Sequence, residues 1–196
     1  MHYSIVTGAA VLLTLAPSAL ALGSAIVVNN CDFDVYYASV SQGVSAEPTL
    51  IDGSYSEEFS DENDGVSIKL ALEDSLSGEV SQFEFTLFSG KTAYDLSNID
   101  GYPFAEWGLT IVPSVANDTS NPTCLSIDCP AGESVCSAAY NAPDDVRTLV
   151  CDDDTDLVLT VCPDGSSNTT DTSTEKRSVP IHSHNRIHAR HFHAGA

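Results

Sequence analysis

The chain has 196 residues and carries 28 acidic against 7 basic side chains, a formal net charge of −21. A surface this negative repels nucleic acid and anionic lipid, so neither is an expected partner. The length suits one domain with a modest hydrophobic core.

The amino-terminal segment has the pattern of a secretory signal peptide. An apolar run from Val11 to Leu15 precedes small residues with the cleavage pattern "ALA" at 19–21. The run is too short to span a bilayer, so a membrane anchor is not expected. We therefore predict a signal peptide over residues 1–21 and an exported mature chain that begins near Leu22.

All six cysteines lie in the predicted mature chain. An even number of cysteines in an oxidising compartment predicts three disulfides. The spacings C-x4-C and C-x6-C differ from those of zinc knuckles, which argues against a zinc site. Two sequons, at Asn117 and Asn168, indicate glycosylated surface positions of an exported protein.

Apolar and polar side chains alternate with the period of two that is typical of half-buried strands. In chain order, the predicted strands are "AIVVNN", "DVYYASV", "SYSEEF", "VSIKLAL", "FEFTL", "GLTIVP" and "DLVLTVC". In "VSIKLAL", one face carries Val66, Ile68, Leu70 and Leu72. No segment shows a sustained helical stripe of apolar residues. We therefore predict an all-β, disulfide-stapled antiparallel β-sandwich over residues 22–163.

The character of the chain changes after Cys162. The polar segment "PDGSSNTTDTSTE" has no apolar side chain that can pack, which predicts a disordered linker over residues 164–177 that ends in Lys176-Arg177. Residues 178–196 form a basic tail with five of the six histidines. Such a tail either binds a partner such as a metal ion or is removed by processing.

The histidines of this tail are candidate ligands for Zn(II) or Cu(II), because clustered imidazoles bind these ions. They are His182, His184, His188, His191 and His193. Ordering a disordered peptide on binding costs entropy, so we expect modest metal affinity. No cofactor is expected in the domain itself, which contains no histidine.

Four stretches of the predicted domain follow one another in an order known from other proteins. They are "AIVVNNCDFDVYYASV"; "FEFTL" with "YDLSNIDGYPF"; "CLSIDC" with its C-x4-C spacing; and "CSAAYNAPDDVRTLVCDDDTDLVLTVCP". Together they resemble the thaumatin-like family, specifically its small secreted fungal members. The resemblance implies the family's core β-sandwich. The chain has no counterpart of the cysteine-rich insertions that form a second lobe in plant members.

The resemblance also implies how the cysteines pair. In the family, the cysteine of the first hairpin pairs with the last one, and the first cysteine of the C-x4-C motif pairs with the one before the closing strand. The implied disulfides here are Cys31–Cys162, Cys124–Cys151 and, from the two that remain, Cys129–Cys136.

Larger members of the family have an acidic cleft lined by one Arg, one Glu and three Asp. The matching acids here are Glu84, Asp95, Asp100 and one of Asp144 or Asp145. Ser67 stands at the position of the arginine, and Lys69 follows two residues later on the same side of its strand. Without a second lobe, we expect these acids to be solvated and to lack the raised pKa of a general acid. A loop-capping role is the alternative for Asp95 and Asp100, which lie at turn-like positions in the sequence.

Some members of the family bind or cleave β-1,3-glucan. The incomplete cleft therefore predicts a secreted, non-enzymatic surface or cell-wall protein, an antigen that acts in wall or host contact and binds β-glucan weakly. The expected partner is a wall polysaccharide or a host surface protein, and we expect a monomer. Two alternatives stay open: a weak β-1,3-glucanase that uses the acidic cluster, and Zn(II) or Cu(II) binding by the tail.

We expect the protein secreted by its own host to end at Arg177, or at Glu175 after the basic pair is trimmed. Nothing holds the linker against the domain, so it is accessible to kexin-type proteases, which cleave after Lys-Arg. Intact mass measurement after removal of N-glycans checks this expectation.

A dominant species that ends at Ala196 would contradict processing and favour the metal alternative. Zn(II) or Cu(II) should then bind the full chain but not a chain truncated at Arg177. Binding should weaken as the pH falls through about 6.5, because protonated imidazoles are not ligands. Equal binding by both chains would assign the ion to the acidic domain.

Overall fold

The computed structural model describes residues 21–60, 65–115 and 121–165. Within these ranges it contains no helix, and so no helical segment long and apolar enough to cross a membrane. Its strands are β1 (Ser24–Asn29), β2 (Tyr36–Ser41), β3 (Val44–Ser45), β4 (Thr49–Leu50), β5 (Ser54–Glu58), β6 (Val66–Ala71), β7 (Ser81–Phe88), β8 (Lys91–Ser97), β9 (Leu109–Pro113), β10 (Ile127–Cys129), β11 (Leu149–Asp152) and β12 (Leu157–Val161).

Several sequence predictions fall outside the described residues. They concern the signal peptide up to residue 20, the two sequons at Asn117 and Asn168, and the linker beyond Gly165 with its dibasic pair and the histidine-rich tail. These remain predictions from the sequence.

The strands form two sheets whose apolar faces meet in one core. The smaller sheet has the order β10-β9-β12-β1-β5, and the larger has the order β11-β8-β7-β6-β2-β3, with β4 also paired to β2. Among the described residues, every pair of these strands is antiparallel except β1 with β12. The predicted all-β sandwich is confirmed. The parallel pair differs from the predicted antiparallel arrangement. It could not be predicted because side-chain alternation within a strand carries no information about the direction of its neighbour.

The parallel pair brings the two ends of the domain together. Asn29 at the end of β1 lies opposite Val161 at the end of β12. Cys31 and Cys162 follow these positions closely, with their Cα atoms 5.2 Å apart, and they form a disulfide. The register of β1 and β12 is therefore what makes this bridge geometrically possible.

The other two disulfides hold the carboxyl-terminal half of the domain. Cys124–Cys151 joins the segment before β10 to the edge strand β11 of the larger sheet. Cys129–Cys136 closes a short loop after β10. The three bridges are the pairs that the resemblance implies, and no cysteine of the chain is free.

The core follows the predicted alternation along most strands. β7 buries Phe83, Phe85 and Leu87, and the inward side chains of β12 are the predicted Leu157, Leu159 and Val161. Each such side chain contributes about 1.5–3 kcal/mol when it is fully buried. Leu72 was predicted on the inner face of β6, and this is wrong: the strand ends at Ala71 and Leu72 is exposed.

The strand that most affects the candidate site was not among those predicted. β8 carries Asp95 near its middle, so the turn-like position expected for this residue is wrong. The pattern of β8 is hard to recognise because a polar Thr92 points inward and an apolar Ala93 points outward. The short strands β10 and β11 also escape recognition by periodicity.

We expect removal of the Cys31–Cys162 bridge to destabilise the domain more than removal of Cys129–Cys136. The first bridge spans 131 residues and the second spans 7. The loss of loop-closure entropy predicts a decrease in the free energy of unfolding of about 5 kcal/mol for Cys31→Ala with Cys162→Ala, against about 2.5 kcal/mol for the matched double substitution of the short loop. Urea unfolding measures both values. Equal losses would contradict this account.

Candidate functional site

One row of polar side chains crosses the outer face of the larger sheet. Ser67 on β6 lies opposite Glu84 on β7, and Glu84 lies opposite Asp95 on β8. Glu84 points outward because its neighbours Phe83 and Phe85 point into the core. Directly opposite residues of antiparallel strands project from the same face, with Cβ atoms about 5 Å apart. The sheet thus places two of the expected cleft acids, Glu84 and Asp95, side by side.

This row forms the floor of a groove with a volume of about 430 Å³. Thr86 and Ala93, which are also cross-strand partners, extend the floor on the same face. Val40 on β2 lies opposite Ser67 and continues the row, and Gln42 in the β2–β3 turn lines the groove beyond it. Thr148, which precedes β11, lies on the far side of β8. Two segments that are distant in the sequence therefore line the two ends of the groove.

Glu84 and Asp95 have perturbed pKa values because they are partly buried together. Thr148 donates its hydroxyl to Asp95 Oδ2 at 3.4 Å, whereas Asp95 Oδ1 is buried and has no donor. Burial, and then the charge of Glu84, raises the pKa of Asp95 to about 7. Burial also raises the pKa of Glu84, although Ser67 and the charge of Lys69 oppose this effect. The expectation of solvated acids is wrong for this pair, because both side chains are partly buried on the sheet without a second lobe.

The adjacent row contains an ion pair. Lys69 lies opposite Gln82, contacts its Oε1, and places Nζ 3.6 Å from Asp100 Oδ2. Gln82 donates Nε2–H to the same carboxylate at 3.2 Å. The turn that carries Asp100 requires glycine at position 101. Gly101 has a φ of 120°, and a Cβ at this position would lie 2.5 Å from the Cβ of Glu79. Asp100 is thus a turn residue, as its sequence position indicates, and its carboxylate is paired with Lys69.

Asp144 and Asp145 do not join the other acids. Both lie in the loop before β11 and neither lines the groove. Asp145 Oδ2 accepts the backbone N–H groups of Asn141 at 2.8 Å and Ala142 at 3.1 Å, and these bonds lower its pKa. Asp145 therefore caps the loop that leads to Thr148.

Sequence reasoning missed three polar residues of the site. Gln82 could have been found, because it precedes Glu84 by two positions and so shares its face of the strand. No sequence pattern indicates Thr148 or Tyr140, because only the folded loop brings them to β8. Their hydroxyls lie 2.8 Å apart. In the part of the chain that the structure describes, no three His, Cys, Asp or Glu side chains are grouped so as to hold a metal ion.

Comparison with known proteins identifies sequence relatives. The family model described as "Bys1: Blastomyces yeast-phase-specific protein" matches residues 12–163. The antigenic thaumatin-like protein of Arthroderma benhamiae is 38% identical over 191 residues, which cover 93% of this chain and 92% of that protein. The secreted thaumatin-like protein calA of Emericella nidulans is 29% identical over 164 residues, which cover 81% of this chain and 91% of that protein.

A solved structure has the same fold. The protein elicitor MoHrip2 from Magnaporthe oryzae aligns with a TM-score of 0.58 at 23% identity, over 71% of this chain and 98% of that one. At this level of identity the likeness concerns the fold.

We expect Lys69→Met to raise the pKa of Glu84 further, because the charge of Lys69 lowers it in the native protein. Carbon-13 NMR titration of the Glu84 carboxyl measures the change. Lys91→Met is the matched control: it removes the same charge from the outer face, where Lys91 contacts Asp152 instead. Equal shifts in the two variants, or none in Lys69→Met, would contradict the assigned electrostatics.

Proposed function

This chain belongs to the Bys1 family of small fungal thaumatin-like proteins, and we propose that it is a secreted, non-enzymatic protein of the cell wall or its surroundings that binds β-glucan weakly in the groove over Glu84 and Asp95. The observation that carries the proposal is the polar row Ser67–Glu84–Asp95 on the floor of an open groove.

Several features support export and a position at the cell surface. The amino-terminal segment has a signal-peptide pattern, and all six cysteines are paired in disulfides, which persist in oxidising compartments. One relative is named a secreted protein and another an antigenic protein. A surface antigen in contact with the wall or a host is consistent with these features.

The chemistry of the groove suits a neutral, hydroxyl-rich ligand. Its floor presents a serine hydroxyl, a threonine hydroxyl and two carboxyls, all of which hydrogen-bond to sugar hydroxyls. A neutral glucan is not repelled by a chain of formal charge −21, whereas an anionic polysaccharide is. The groove volume lies in the range of ligand sites, but its open shape and short polar side chains favour weak binding.

The arrangement of the carboxyls argues against hydrolysis. Glycosidases need two carboxyl groups on either side of the scissile bond, about 5–5.5 Å apart in retaining enzymes and about 6.5–9.5 Å apart in inverting ones. Glu84 and Asp95 are direct cross-strand partners that project from the same face of the sheet, so both rise from the groove floor and do not face each other across it. Asp100, the next acid, is engaged by Lys69 and Gln82.

A weak β-1,3-glucanase is the second candidate function. The observation in its favour is Asp95, whose pKa of about 7 suits a general acid at the pH of an extracellular medium. It requires Asp100 to leave its ion pair with Lys69 and act as the second carboxyl. Metal binding by the tail remains a prediction from the sequence, and a host surface protein is an alternative partner to glucan.

We expect the secreted protein to bind laminarin, a β-1,3-glucan, without releasing reducing sugar. Glu84→Ala should weaken binding by at least about tenfold, because it removes the whole carboxyl from the floor. Glu58→Ala is the matched control, since it makes the same change at an exposed position of β5 in the smaller sheet. Isothermal titration calorimetry measures the affinities. Equal binding by the two variants would exclude the groove as the site.

The same preparations test for catalysis. Laminarin hydrolysis that is present in the wild type and disappears in Glu84→Gln or Asp100→Asn would show that the acidic cluster is catalytic and would overturn the non-enzymatic proposal.

A further inference from the structure

We propose that Glu84 and Asp95 share a single proton in acidic surroundings, and that loss of this proton near neutral pH leaves two like charges on the groove floor and releases the bound ligand. The part that concerns the ligand rests on the proposed function. The shared proton does not depend on it.

The geometry favours a proton between the two carboxyls. Glu84 and Asp95 are direct partners in the register of β7 and β8, and both line the groove. Asp95 Oδ2 accepts a hydrogen bond from Thr148, but its buried Oδ1 has no donor. A buried acceptor without a donor is costly, whereas a proton on one carboxyl lets it donate to the other.

The groups around the pair supply only a partial counter-charge. From β6, Lys69 faces Glu84, but its Nζ is already engaged with Asp100 and Gln82. From the segment before β11, Thr148 contributes a hydroxyl that also contacts the hydroxyl of Tyr140. From β2, Val40 is apolar. One further carboxylate, Asp100, and one cation that is already paired with it therefore leave the pair dependent on a proton.

The electrostatics of the pair define the pH window. The pKa of Asp95 rises from its ordinary 3.8 to about 7, through burial and then through the charge of Glu84, and burial also raises the pKa of Glu84. The pair titrates in two coupled steps, because the charge of Glu84 raises the pKa of Asp95. Because the folded pKa lies above the unfolded one, the stabilisation is complete below about pH 4 and is lost as the pH rises through about 7.

The state of the pair changes what the groove offers to a ligand. With one proton, the floor carries one negative charge, and the protonated carboxyl donates a hydrogen bond to the ionised one. The remaining oxygen lone pairs can accept hydrogen bonds from the hydroxyls of a neutral sugar. Without the proton, two adjacent carboxylates repel each other and hold water tightly. A neutral ligand must then displace that water, and the affinity falls.

The first experiment tests the shared proton without any ligand. We expect the folding equilibrium constant of the full-length wild type to fall, relative to Asp95→Asn, by up to about tenfold per pH unit between about pH 4 and 7. Asn can donate to Glu84 as the protonated Asp does, so that variant lacks this slope. Asp52→Asn, at an exposed turn position before β5, is the control and keeps the wild-type slope. Identical slopes in the wild type and Asp95→Asn would overturn the proposal.

Carbon-13 NMR of the wild type gives a second measurement if Asp95→Asn does not fold. We expect the side-chain carboxyl resonances of Glu84 and Asp95 to report the same two titration steps. Two independent single steps at ordinary carboxyl pKa values would overturn the shared proton.

The second experiment tests release, with laminarin as the probe. Wild-type affinity should fall by at least about tenfold between about pH 5 and 8, whereas the affinity of Asp95→Asn should not vary over this range. If the pair shows coupled titration but wild-type binding is independent of pH, the proposed release of the ligand is refuted and the shared proton is supported. Absence of binding at both pH values would refute glucan binding, and the first experiment would still decide whether the proton is shared.

Discussion

The register of β6, β7 and β8 determines both the core and the groove. The alternation that sends Ile68 and Phe83 into the core sends Ser67 and Glu84 to the outer face. A slip of one residue between these strands would expose the first set and bury the second. The buried apolar side chains therefore fix the positions of the polar row, and hydrophobic packing holds the site in place in addition to the contacts among its own residues.

The parallel pairing of β1 and β12 closes the smaller sheet against this framework. It places the first and last strands of the domain side by side in the middle of the sheet that covers the inner face. The Cys31–Cys162 bridge secures this contact, whose loop-closure cost is large because the two cysteines are 131 residues apart in the sequence. The smaller sheet thus covers the inner face of the larger sheet, and the groove lies on the outer face.

Part of this architecture is readable from the sequence. Regular alternation reveals strands such as β7 and β12, and the resemblance points to Glu84, Asp95 and the three disulfides. The parallel pair, strand β8 and the shielding by Thr148 are not readable, because they depend on which distant segments become neighbours. The expectation of solvated acids failed for the same reason: it considered the missing lobe but not the loops that remain beside the sheet.

The position of Ser67 explains why a proton becomes important at this site. The resemblance implies an arginine there in larger family members, directly opposite Glu84 in this register. An arginine would supply a permanent counter-charge to the row and keep both carboxyls ionised. Serine supplies only a hydroxyl, and the nearest cation, Lys69, is paired with Asp100. This acidic chain has few cations, so a proton is the positive charge that remains to neutralise the partly buried carboxylates. Binding of a proton varies with pH, whereas an arginine stays charged over the same range.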